Sequence, residues 1–181
     1  MSATTTDVQS GLEGVVAFAT EIAEPDRAGG ALRYRGVDIE ELVGTVPFEQ
    51  VWGLLVDGTL EPGLPPAEPH PLAVRSGDPR VDVQAALAML GAGGDGFGFG
   101  ALIDTSDEDA REQLARASVM ALSFVAQSAR GSGRPPVPQA EVDRATSIPE
   151  RFLMRWRGEI DPKHAKAIDA YWISAAEWRI A

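Results

Sequence analysis

The chain has 181 residues, of which 44 % are hydrophobic, a formal charge of -11 and no cysteine. Its length suits one substantial core, or one domain with a small appendage. The negative charge argues against nucleic acid and anionic membranes as partners, because both are repelled at long range, and without cysteine there is no disulfide, thiolate metal site or cysteine nucleophile.

Residues 1–10, MSATTTDVQS, have neither the positive charge nor the apolar stretch of a secretory signal, which points to the cytoplasm, and they are expected to be disordered. Val15 to Ile22 and Ala31 to Tyr34 are short β-branched or apolar stretches. The turn formers Pro25-Asp26 and Gly29-Gly30 lie between them, which predicts a small β-hairpin. Asp38 to Val43 suits one or two helical turns. A helix then starts after Thr45-Val46-Pro47, with Phe48, Val51, Trp52 and Leu55 on its core face.

From Gly58 to Arg80, prolines at 62, 65, 66, 69, 71 and 79 predict an ordered or semi-rigid connection without helix. Val83, Leu87 and Leu90 mark the next helix, stopped by the glycine-rich run from Gly91 to Gly100. Thr105 and Glu108 have capping-box spacing, and the helix they open reaches Arg130 and closes at Gly131. Its nearly apolar middle, Ala117 to Ala126, is about half of what spans a bilayer, so it is read as a buried central helix.

After a break over residues 131–138, a helix begins near Gln139. Ser147 with Glu150 then forms a second capping box around Pro149, so the segment either kinks or holds two helices. Phe152, Leu153 and Trp156 give its apolar face, and Gly158 ends it. Asp161-Pro162 starts a last helix with Ile168, Trp172 and Ala175 as the buried stripe. No glycine, asparagine or proline follows Glu177 to end it, and Trp178 extends an apolar tail. The sum is a mainly α fold with one small hairpin.

None of the candidate chemistry displaces a plainer explanation. Gly91, Gly93 and Gly96 satisfy G-x-G-x-x-G, but the run follows a helix rather than a strand, and Asp95 would repel a phosphate. His70, in EPHPL, is read as a solvent-facing loop residue and His164 as a surface residue near Lys163 and Lys166. Neither has a second histidine at metal-ligand spacing, so no metal site is assigned. Glu40-Glu41 reads as a solvated face, and Asp107-Glu108-Asp109 as acids complementing a helix N-terminus. Ser132 lies in a GSG without nucleophile-elbow flanks or an identifiable base. Trp52, Trp156 and Trp172 fall on core faces, and Trp178 is the exception.

Segment by segment, GLEGVVAFATEIAEPD and GALRYRGVDIEEL resemble the opening strands of citrate synthases, most closely the short, second citrate synthase of GC-rich bacteria. PFEQVWGLLVDGTLEPGLP is similar to that family's next helix and exit, RASVMALSFVAQSAR to its long central helix, and FLMRWRGEIDPKHAKAIDAYWISAAE to the helices approaching its active site. The resemblance implies a multi-helical portion of the large domain over residues 11–181, with the small domain absent. It also implies the family reaction, in which acetyl-CoA, oxaloacetate and water give citrate and CoA, the entry step of the tricarboxylic acid cycle. This is acyl transfer that forms a carbon–carbon bond, run in a cleft between two helical domains of a homodimer, with acetyl-CoA as substrate and no cofactor.

Where the family follows ISAAE with an oxaloacetate-binding histidine, this chain has Trp178. The resemblance therefore implies a sequence truncated before the catalytic histidines and acid, inactive alone and prone to aggregation, self-association or partial unfolding. No catalytic or substrate-binding residue is assigned within it. The alternative is a non-enzymatic helical module that associates with a full-length citrate synthase subunit through Trp178 and the last helix.

Overall fold

The computed structural model describes residues 22–25, 32–92 and 105–176. The predicted strand at Val15 to Ile22 lies almost wholly outside them, as do residues 1–10, most of the glycine-rich run and Trp178. What is described is mainly helical with a small antiparallel sheet, as the sequence predicts.

Three short strands, β1 (Ala23–Pro25), β2 (Leu32–Tyr34) and β3 (Val37–Asp38), pair in the order β1-β2-β3, with Ala23 opposite Tyr34 and Tyr34 opposite Val37. The first strand thus lies where the sequence suggested the turn would begin, and β3 was not expected. Arg35 and Gly36 join β2 to β3 with φ values of 45 and 83, the left-handed backbone that a two-residue hairpin turn needs. At Arg35 this conformation is strained. It is held by a hydrogen bond from Nε to the Leu55 carbonyl at 3.0 Å.

β3 runs straight into α1 (Ile39–Leu42), where the Asp38 carboxylate caps the Glu40 amide at 3.0 Å. α2 (Phe48–Asp57) buries the predicted Phe48, Val51, Trp52 and Leu55, together with Gly53 and Leu54. Gly53 faces the incoming proline-rich connection so closely that a Cβ there would lie 3.0 Å from the Gly63 Cα. At Gly63, with φ of 71, a Cβ would lie 2.8 Å from the Glu49 carbonyl. Only glycine permits this backbone-on-backbone contact, which the Leu64 amide seals with a 2.9 Å bond to the Glu49 carbonyl.

The connection continues without helix or strand to Asp78. Pro79, expected to belong to it, is instead the first residue of α3 (Pro79–Ala92), where a missing N–H costs nothing. The buried face of α3 is Asp82, Ala86 and Leu90, with Val83 and Leu87 only partly covered. The predicted stripe is therefore rotated by a residue, and a carboxylate stands at its head.

α4 (Asp107–Arg130) packs on α3 and later on α6, as a central core helix should. Its N-cap is Ser106, whose hydroxyl accepts from the Asp109 amide at 3.1 Å, so the expected Thr105–Glu108 box is displaced by one residue. Two helices follow, α5 (Gln139–Val142) and α6 (Ile148–Arg157), and the Ser147–Glu150 capping box forms in both directions. Asp161 caps α7 (Pro162–Ser174). Ala165 and Ile173, rather than Ile168, Trp172 and Ala175, are its fully buried residues, the latter three being partly covered. The helix also ends sooner than expected. The Ala175 amide turns back onto the Tyr171, Trp172 and Ile173 carbonyls, so the chain stops the helix at Ser174 by its own backbone without glycine.

Candidate functional site

The C-terminal end of α7 is tied into the core by a buried hydrogen bond. Tyr34 and Ile173 are both fully buried, and the Tyr34 hydroxyl donates to the Ile173 carbonyl at 2.8 Å. A buried phenol would otherwise lose its hydration uncompensated, so this bond favours one placement of the helix end. Around it Trp172 packs against Phe48 with the rings tilted by 59° and meets Phe152 edge-on, both at 5.2 Å between ring centroids, and Phe152 leans on Trp156 at 6.0 Å. Three tryptophans thus occupy core faces, as their spacing predicts.

One turn earlier, α7 brings a carboxylate to the start of α2. Pro47 offers α2 no side-chain cap, and the Phe48 amide instead donates to Asp169 Oδ1 at 2.9 Å. Beside it Glu49 has one carboxylate oxygen, Oε2, sealed from solvent without a hydrogen-bond partner. Burial pushes the Glu49 carboxyl above its ordinary value. The charges of Asp169 and Glu150 add to this, and the amides of Glu49 and Ile148 offset it in part. Asp169 is raised as well, by burial, against the opposing Phe48 amide. Glu150 goes the other way, held low chiefly by the Thr146 amide.

A cleft of about 360 Å³ opens alongside, lined by Val46, Pro47, Glu150, Lys166 and Asp169 among others. Carboxyls with pKa values pushed apart are the raw material of acid–base catalysis. Here, however, Asp169 and Glu150 are committed to backbone amides at helix starts, which gives them structural work. Sequence reasoning did not single out Glu49 or Asp169, because nothing near Pro47 in the chain announces a cap supplied from α7.

His70 is not the solvent-facing residue expected. It is half-buried, its ring edge-on to Phe124 at 5.7 Å and its carbonyl accepting from Gln127 Nε2 at 2.9 Å. His164 is exposed, with Nδ1 at 3.2 Å from Arg157 Nη1 and 3.5 Å from Asp161 Oδ2. Glu40 and Glu41 are solvated at the start of α1, Asp107 to Asp109 lie in the first turn of α4, and Ser132 is exposed. The structure joins none of these into a constellation. Among the described residues no group of three histidine or carboxylate side chains could hold a metal ion, and no helix is long and apolar enough to cross a membrane. Gly91 lies in the last turn of α3, while Gly93, Gly96 and Trp178 fall outside the described residues.

The helical arrangement around the Tyr34–Ile173 contact is the fold of citrate synthases. The crystal structure of citrate synthase from Thermotoga maritima superposes with a TM-score of 0.65 at 24 % identity, over 96 % of this chain and 48 % of that one. The Thermoplasma acidophilum enzyme, solved as a ternary complex with carboxymethyl coenzyme A and oxaloacetate, also gives 0.65, at 19 % identity, over 96 % of this chain and 49 % of that one. In sequence, the family model "Citrate synthase, C-terminal domain" matches residues 11–68. "Putative citrate synthase 2" of Mycobacterium tuberculosis is 64 % identical over 168 residues, 92 % of this chain and 44 % of the relative. "2-Methylcitrate synthase 2" of Corynebacterium glutamicum is 46 % identical over 59 residues, 33 % of this chain and 15 % of the relative. The chain belongs to the citrate synthase family. It spans about half the length of the relatives that it matches over most of its own residues.

Proposed function

We propose that residues 11–181 form the N-terminal part of a citrate synthase large domain, whose work is to fix the end of α7 for the family reaction of acetyl-CoA with oxaloacetate and water. The Tyr34–Ile173 bond carries this reading: it tethers the last turn of α7 to the sheet, and the family's oxaloacetate-binding histidine directly follows the segment that ISAAE resembles. Pre-set geometry at such a point favours a reacting arrangement over a loose one. On this reading the 181 residues by themselves do not turn over, because the acid and histidines of the reaction are not among them. Trp178 stands at the position of the first. The reading places the chain in the cytoplasm. The test is coenzyme A release from acetyl-CoA and oxaloacetate by the purified chain. No release above buffer is expected, and turnover would overthrow the reading.

A second reading, that the chain associates with another citrate synthase subunit, is favoured by one observation. Val81 and Met89 on α3 and Leu114 on α4 are large apolar residues with 48 %, 55 % and 48 % of their surface exposed. Exposed apolar side chains on two packed helices suit a helical partner, either a second copy, as the family's homodimers imply, or a full-length subunit. Size-exclusion with light scattering separates these outcomes. A monomer that forms no mixed species with a full-length relative would end this reading.

A further inference from the structure

Within this acidic chain lies a pocket of opposite sign. A cavity of about 220 Å³ between the proline-rich connection and the helices α4, α5 and α6 is lined by Arg75, Arg130, Arg155, His70, Gln127 and Gln139, and no carboxylate contributes to its lining. The arginines are held by neutral oxygens. Arg75 Nη1 donates to the Gln127 carbonyl at 2.9 Å, and Arg130 donates to the Pro135 and Trp156 carbonyls at 2.6 and 3.2 Å. Arg155 Nη2 donates to Gln139 Oε1 at 3.2 Å and to the Ala67 carbonyl at 3.4 Å.

Ion pairs among the described residues use other arginines, Arg80, Arg111, Arg116, Arg144 and Arg151. The acids whose fields reach the pocket are engaged elsewhere. Asp82 accepts from Ser76 and Ser128, and Asp143 from Gln139 and Arg151. Arg155 is the sharpest case. It is only 7 % exposed, and burial, together with the neighbouring Arg151 charge, works against its own charge. A buried guanidinium is ordinarily matched by a carboxylate or an equivalent anion. Its Nε and Nη1 donate to no described residue, and its side chain lines this cavity.

We propose that this pocket binds a small oxyanion, a phosphate or a compact dicarboxylate, between the exposed Arg75, the half-buried Arg130 and the buried Arg155. Planar guanidinium forks match both carboxylate and phosphate oxygens. The volume is below the range of roughly 300 Å³ and upward typical of drug-sized ligand sites, which favours a compact anion over a nucleotide. The residues concerned are not those that hold the end of α7, so the inference stands or falls apart from the reading above.

The experiment is calorimetric titration of the full chain with sodium phosphate and, separately, sodium succinate, at ionic strength held constant with sodium chloride. One saturable site per chain is expected for at least one of them, and the anion that saturates identifies the ligand class. Losing one charge-assisted contact should weaken binding about tenfold in Arg75→Gln, while Arg80→Gln, whose side chain is 86 % exposed, leaves it unchanged. As a second readout, phenylglyoxal labelling of Arg75 and Arg130, mapped by mass spectrometry, should slow in the presence of the bound anion. Saturation by neither anion, or equal weakening in Arg80→Gln, overturns the proposal.

Discussion

The aromatic and aliphatic contacts around the end of α7 and the polar tethers of the proline-rich connection solve the same problem in opposite ways. At α7, Phe48, Phe152, Trp172 and Ile173 exclude water and leave Tyr34 to make one buried hydrogen bond. The connection from Thr59 to Asp78 has no ladder of its own, and side chains of α3 and α4 supply what it lacks. Gln127 of α4 receives the Leu72 amide at 2.9 Å and donates to the His70 carbonyl. Asp82 takes the Ser76 amide at 2.6 Å. Arg111 grips Asp57 and the Gly63 carbonyl, and Arg116 grips Glu68 at 2.6 Å. A segment rich in proline has fewer amides to satisfy, so a few well-placed polar side chains suffice to order it. The comparison separates stability that comes from area removed from water from stability that comes from matched polar partners.

Substitutions on each side sharpen that contrast. The largest effect belongs to the apolar side: Ile173→Ala should cost about 2–5 kcal/mol through lost burial and the cavity left behind, read as a lower urea midpoint by circular dichroism. On the polar side, Gln127→Ala leaves the Leu72 amide and the His70 carbonyl without their partner and should cost about 1–3 kcal/mol. Proteolysis should then begin in the connection before global unfolding. If Gln127→Ala proved as costly as Ile173→Ala, the distinction between the two regions would fail.

A smaller loss, about 1 kcal/mol, is expected for Ser147→Ala, since the Glu150 carboxylate still accepts from the Thr146 amide at 2.8 Å. Thermal melts would measure it. The smallest effect is a gain. Glu49→Gln removes a charge that burial disfavours and should stabilise by roughly 0.5 kcal/mol at neutral pH, after allowance for solvent screening. The sign follows from the raised folded-state pKa: the folded chain holds this proton more tightly than the unfolded one. The penalty is therefore absent well below the ordinary carboxyl value of 4.5 and grows as pH rises through the folded-state value. Parallel urea titrations at acid and neutral pH should show the gain only at neutral pH.

The same division governs what could be read from the chain itself. The α2 stripe, the Ser147–Glu150 box, the Asp161-Pro162 start and the closure of α4 at Gly131 all depend on residues within a turn or two of each other, and the structure has them where the sequence puts them. Asp82 in a buried position, Asp169 capping α2 and Arg155 under the core depend on partners far away in sequence, and periodicity is silent about them. The last helix shows the cost of reading local signals alone. The lack of a glycine after Glu177 predicts that it runs on, yet it ends at Ser174, where the Ala175 amide meets the Tyr171, Trp172 and Ile173 carbonyls and Tyr34 reaches the last of these from across the core. For the candidate site, the resemblance carried the family, while the arginine pocket had no signature, its members being scattered from position 75 to 155.

The Tyr34 hydroxyl and the Ile173 carbonyl are 139 residues apart in sequence, and this has a consequence for synthesis. As the polypeptide leaves the ribosome, Tyr34 can pair with Ala23 and Val37 in its own sheet early, but the Ile173 carbonyl that its hydroxyl meets emerges only later. Closure of so long a loop comes late and is slow. Until then the side chain of Tyr34, wholly buried in the folded molecule, stays open to solvent.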